Sequence, residues 1–231
     1  MLKRQRKIVL IGCLAGLILL LGAACQSESK PLQNSIIPEI KDSKPTIVAE
    51  GTVVINGIKQ SISIRMKDGK EIYDSDPGAF QGTFLFGSFE VVATDPAGKE
   101  LAKLGLNDVF DGGEMNFRKE LPFEIQFDDY NEDGESDFTV GQWGGSNGNF
   151  YSMLTISSSG FEVLEENIYS ADHRPSIRYR KIAGKAFLNK YYDQIIGADM
   201  DVIHRWKDGA FHRDIPTKSI EGGAAGVEGE S

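Results

Sequence analysis

Between Asp129 and Asp137 the chain reads Asp-Tyr-Asn-Glu-Asp-Gly-Glu-Ser-Asp, which has the form D-x-N-x-D-G-x-x-D. Side-chain oxygens at the alternate positions Asp129, Asn131 and Asp133 converge when such a segment curls round a hard cation. Gly134 permits the sharp turn, and Glu135 offers its backbone carbonyl. Asp137 then closes the shell from the start of the following strand. A helix–loop–helix calcium motif would place a glutamate at the twelfth position of the loop, counting the first ligand as one, where this chain has Val140. Seven of the fourteen residues from Glu124 to Asp137 are acidic, and carboxylates at that density repel one another unless a cation relieves them. The expectation is a structural Ca²⁺ ion, held with the weak affinity of extracellular modules, on the order of 10⁻⁴–10⁻³ M. The competing expectation is an acidic, solvated turn with no ion.

Other residue patterns are weaker. Gly144-Gly145-Ser146-Asn147-Gly148 matches G-x-S-x-G, but a nucleophile elbow must lead from a strand into a helix. Here Asn149 to Ile156 reads as another strand, so the segment is expected to be a hairpin loop. With Trp143 and Tyr151 as aromatic flanks, Ser146 and Asn147 form a candidate recognition edge. His173, His204 and His212 have no zinc-type spacing, and His204 falls on the apolar phase of its segment, as a core or interfacial histidine would. Arg174, Arg178, Arg180 and Lys181 form a local basic patch, expected to be a solvated strand face. No pair of carboxylates stands out as suited to glycoside hydrolysis.

The elements that must carry these groups are strands. Ile62, Ile64 and Met66 alternate with polar residues, as do Phe123, Ile125 and Phe127, then Ile177 and Tyr179, then Met200, Val202, His204 and Trp206. A period of two suits strands with one buried face. Asn56-Gly57 is a strong hairpin signal. Asp68-Gly69, Pro96-Ala97-Gly98, Ser159-Gly160 and Asp208-Gly209 continue the punctuation, and no segment reads as a capped amphipathic helix. The expected fold is all-β, an antiparallel sandwich or barrel-like domain over residues 46–214.

The ends read differently. Lys3, Arg4, Arg6 and Lys7 precede an uncharged apolar run from Ile8 to Ala24, suited to a signal peptide over residues 1–24. It ends in Leu21-Gly22-Ala23-Ala24-Cys25, a lipobox-like sequence that makes Cys25 the expected site of lipidation. Stable membrane attachment takes more than one acyl chain. Residues 25–45 read as a polar tether, and residues 215–231, rich in Gly and Glu, as a disordered tail. Of 231 residues, 34 are acidic and 25 basic, a formal charge of -9 that cleavage of the basic leader would make more negative. Nucleic-acid binding through phosphate neutralisation is thereby excluded.

The run Asp128 to Trp143, then Ser146-Asn147-Gly148-Asn149-Phe150-Tyr151, with Trp206-Lys207-Asp208-Gly209-Ala210-Phe211 near the end, resembles uncharacterised lipoproteins of Gram-positive bacilli. The acidic loop itself is similar to the calcium loops of integrin-type repeats. More distantly, the loop and the strands after it resemble a calcium-binding β-sandwich group of which some members inhibit lysozyme-like hydrolases. The resemblance implies an extracytoplasmic lipoprotein on the outer face of the bacterial membrane, binding a protein or cell-wall partner without catalysis. An inhibitor or immunity-type protein against a peptidoglycan hydrolase and a cell-wall hydrolase are the two alternatives.

Overall fold

A computed structural model describes residues 45–220; the expected signal peptide, the tether up to residue 44, Cys25 and residues 221–231 lie outside the described residues. Strands dominate, and the single helical turn among the described residues is α1, Leu106–Val109.

The first sheet opens with β1 (Ile47–Ile55) and β2 (Ile58–Asp74), joined at Asn56-Gly57. Both turn residues have positive φ, 52° and 75°, the conformation a type I′ turn demands. β3 (Gly82–Thr94) pairs with β2 along its length. Its other edge is shared by β4 (Glu100–Gly105) and β5 (Met115–Arg118). Asp68-Gly69 is not the turn that its composition suggests: β2 runs straight through it, with a register shift between Met66 and Asp68. Gly69 lies opposite Gly87, and a Cβ at either would come within 2.2 Å of a backbone oxygen. Two facing glycines therefore permit a bulge at which the strands approach closely.

The alternating segment Phe123–Phe127 is likewise not one strand. β6 (Phe123–Glu124) adds to β1 in parallel, and β7 (Phe127–Asp128) belongs to the next sheet. The chain crosses between the two at Ile125, whose N–H donates to the Glu50 carbonyl at 2.9 Å. The second sheet continues as β8 (Ser136–Trp143), β9 (Asn149–Ser157) and β10 (Gly160–Ser170). The third comprises β11 (Arg180–Ile182), β12 (Ala186–Asp193), β13 (Ala198–Lys207) and β14 (Ala210–Arg213), with β15 (Thr217–Lys218) also on β13. The folded domain therefore extends past Asp214, and the expected disordered tail is corrected at its start: Met200 registers with Lys218 and Asp201 with Thr217.

The antiparallel sheets pack as a sandwich-like domain in which the second sheet is covered on both faces. Phe138, Val140, Leu154 and Ile156 join the core built on the first sheet. Tyr151 and Met153, on the opposite phase of β9, pack with Phe187 and Phe211 of the third. From Tyr151 to Ile156 every residue of β9 is buried, as expected for a strand with no solvent face. Ile177 to Tyr179, whose alternation reads as a strand, forms no ladder. The Thr139 hydroxyl donates to the Ile177 carbonyl at 2.7 Å and accepts its N–H at 2.8 Å, and the Tyr179 N–H donates to the Tyr130 phenol oxygen at 2.8 Å.

Candidate functional site

The acidic loop joins β7 to β8, so its first and last carboxylates are held by paired strands: Asp128 registers with Asp137. Glu132 at φ 54° and Gly134 at φ 89° fold the segment back on itself. The side chains then converge on the loop's own N–H groups. Asp129 accepts from Asp133 at 3.1 Å and from Gly134 at 3.0 Å, one oxygen each. Asn131 Oδ1 accepts from the Asp133 N–H at 3.2 Å, and its Nδ2 donates to Asp133 Oδ2 at 2.7 Å. Asp133 Oδ1 accepts from the Glu135 N–H at 2.9 Å. These bonds tie the side chains at positions 129, 131 and 133 to one loop while leaving lone pairs on their oxygens.

Asp137 differs from the other acids in being fully buried. Its Oδ2 accepts the Tyr130 N–H at 2.7 Å, whereas Oδ1 is buried with no hydrogen-bond partner. The Thr155 hydroxyl, across the strand pair, favours the carboxylate without reaching it in good hydrogen-bond geometry. Burial pushes this carboxyl up to about 6, against the Tyr130 N–H and the Thr155 hydroxyl, with the charges of Asp133 and Asp129 adding smaller upward effects. Counting only His, Cys, Asp and Glu, no cage of three or more converges among the described residues. The loop's further donors are of another kind, the Asn131 carboxamide and the Glu135 carbonyl. An all-oxygen set with one unpartnered buried carboxylate oxygen fits calcium in its chemistry.

Two lysines close over the loop. The Lys181 ammonium donates to the Asp129 carbonyl and lies 3.3 Å from Asp128 Oδ1. Lys185 Nζ reaches the Glu132 carbonyl at 3.4 Å. Lys181 thus leaves the solvated basic face on which its sequence neighbours Arg178 and Arg180 remain exposed.

The expected recognition edge divides in two. Trp143 is 41% exposed, while Tyr151 is fully buried, which removes it as a recognition residue. Tyr151 lies over Gly141, where a Cβ would stand 2.5 Å from its ring, and its hydroxyl donates to the Arg174 carbonyl at 2.7 Å. Ser146 is exposed and Asn147 half-buried in the hairpin loop. The His173 imidazole contacts the Ser146 backbone oxygen, not its hydroxyl.

Trp143 instead borders a cleft of about 550 Å³. One wall comes from Phe80, in the turn before β3, and Phe84 of β3, with ring centroids 5.3 Å apart. Trp143 meets Phe80 edge-on at 5.7 Å and stacks on His173 at 5.1 Å. Asn149, 5% exposed, lines the cleft with Oδ1 unpartnered. Sequence pattern missed Phe80, Arg118 and His173 because they come from distant loops and strand ends, with no spacing to join them.

His204 is buried, as its apolar phase suggested. Its ring stacks on Phe187 at 4.5 Å, and Nδ1 lies 2.8 Å from Glu165, which Arg213 also holds at 2.9 Å. Comparison of the chain with protein-family models, curated proteins and solved structures found no match.

Proposed function

We propose that this chain is a lipid-anchored, extracytoplasmic β module, stabilised by calcium in the Asp129–Asp137 loop, that binds a partner at the cell surface without catalysis. The observation that carries the calcium reading is Asp137: a fully buried carboxylate with one oxygen unpartnered, at the closing position of the motif. A buried charge without a counter-ion costs several kcal/mol, and a bound cation removes that cost. Asp129, Asn131, Asp133 and Asp137 would supply side-chain oxygens, and Glu135 its carbonyl. Calcium there would supply charge neutralisation, tying β7 to β8.

The cleft beside Trp143 supports binding over hydrolysis. No Asp or Glu is among its lining residues, whereas glycoside cleavage uses two carboxylates flanking the scissile bond. A plugging inhibitor loop receives less support. Gly148 is buried against the Ser170 carbonyl, so the base of the Gly144–Gly148 hairpin is fixed against β10, and the exposed residue at its tip is the small Ser146.

Thermal melts in calcium and in chelator test the proposal. Calcium should raise Tm in the native chain and leave Asp133→Ala unchanged. Superimposable melts of the native chain in the two conditions would refute the calcium reading.

A further inference from the structure

The charge of the Trp143 cleft runs against that of the chain. The sequence carries nine more acidic than basic residues, yet the ionisable side chains lining the cleft are Arg118, His173 and Arg174. Arg174 is engaged by Asp172 at 2.6 Å. Arg118 is different. Its hydrogen bonds go to neutral carbonyls, 2.8 Å to Gln81 and 3.0 Å to Ala79, and its guanidinium lies 4.9 Å from the centre of the Phe84 ring. Glu120 acts on it only through space. Its positive charge is thus aligned by the fold without a hydrogen-bonded counter-ion among the described residues.

Two requirements on a ligand follow. A body with an apolar face must lie against Phe80, Phe84 and Trp143. An anion must meet Arg118, whose planar fork suits a carboxylate. The volume, about 550 Å³, is that of a small-ligand site. A pyranose presents a C–H face to an aromatic ring and donors at its edge.

We propose that the cleft binds a carboxylate-bearing sugar, with the ring against Trp143 and Phe80 and the carboxylate on Arg118. The inference rests on the extracytoplasmic reading, which places wall glycan within reach of the chain.

Isothermal titration of the detergent-solubilised full chain with N-acetylmuramic acid, N-acetylglucosamine and benzoate tests it. N-acetylmuramic acid should bind at least about tenfold more tightly than N-acetylglucosamine, because one charge-assisted hydrogen bond is worth about ten- to a hundredfold, and more tightly than benzoate, which has the carboxylate without the pyranose. Arg118→Gln should remove that advantage over N-acetylglucosamine. Trp143→Ala should weaken both sugars while the chain keeps a cooperative melt. Equal binding of the two sugars, or an unaffected Arg118→Gln, overturns the anionic specificity. Benzoate binding as tightly as the acid sugar overturns the sugar. No binding of any probe overturns the site, and a calcium-induced rise in Tm in that same preparation would show that the calcium reading survives it.

Discussion

Asp137→Asn separates the charge of the buried carboxylate from its shape. Burial, reinforced by Asp133 and Asp129, raises the folded-state pKa to about 6, against about 3.9 for an unperturbed aspartate. The unfolded chain therefore gives up this proton first, near pH 4, and the folded chain holds it until pH 6. Stability from this group is complete below pH 4 and is lost as pH rises through 6. A difference of about two pKa units corresponds to roughly 3 kcal/mol. The asparagine carries no charge, and its Oδ1 can keep the Tyr130 N–H bond now made at 2.7 Å. In chelator, the stability of the variant relative to the native chain at pH 4 reports the cost of the amide itself. Between pH 4 and pH 7.5 that relative stability should shift toward the variant by about 3 kcal/mol, or roughly 6–12 °C in Tm for a domain of this size. Calcium should then reverse the order at pH 7.5, because only the native chain has the ligand. Calorimetric melts of both proteins across this range, with and without chelator, give the numbers. A relative stability that stays constant from pH 4 to 7.5 would refute the argument that an uncompensated charge sits at this position.

Two further perturbations probe how the loop is mounted. Gly141→Ala forces a Cβ to 2.5 Å from the fully buried Tyr151 ring in a strand packed on both faces, so chemical denaturation should show a loss of about 1–3 kcal/mol. The control Gly78→Ala, with nothing within 4 Å, should stay within about 0.5 kcal/mol. Tyr130→Phe removes the phenol oxygen that accepts the Tyr179 N–H at 2.8 Å. Leaving that buried donor unpaired should cost about 1–3 kcal/mol, while the calcium-dependent rise in Tm remains, since the Tyr130 contact with Asp137 is made by its backbone.

The turns that sequence located were those set by local backbone chemistry. Asn56-Gly57 and Asp208-Gly209 both adopt positive φ at each position, a preference written into Asn, Asp and Gly themselves. Asp68-Gly69 carries the same composition, but there the pairing of Gly69 with Gly87 outweighs the local preference and the strand continues. Period-two alternation identified β2 and β13, each with one face on the core. It placed one strand across Phe123–Phe127, where the chain changes sheets, because apolar residues can alternate toward two different cores.

The sequence by itself determined that the chain is β-rich, where its acidic loop falls, and which oxygens that loop offers, because motif spacing and strand alternation are properties of neighbouring residues. Tertiary structure decided the rest. It buried Asp137 completely and left one of its oxygens unpartnered, turned Lys181 onto the loop from 52 positions away, and took Tyr151 into the core while leaving Trp143 at a cleft. These outcomes depend on a middle sheet covered on both faces. Burial and the electrostatics that follow from it are set by which distant segments pack together, and residue spacing carries no record of that.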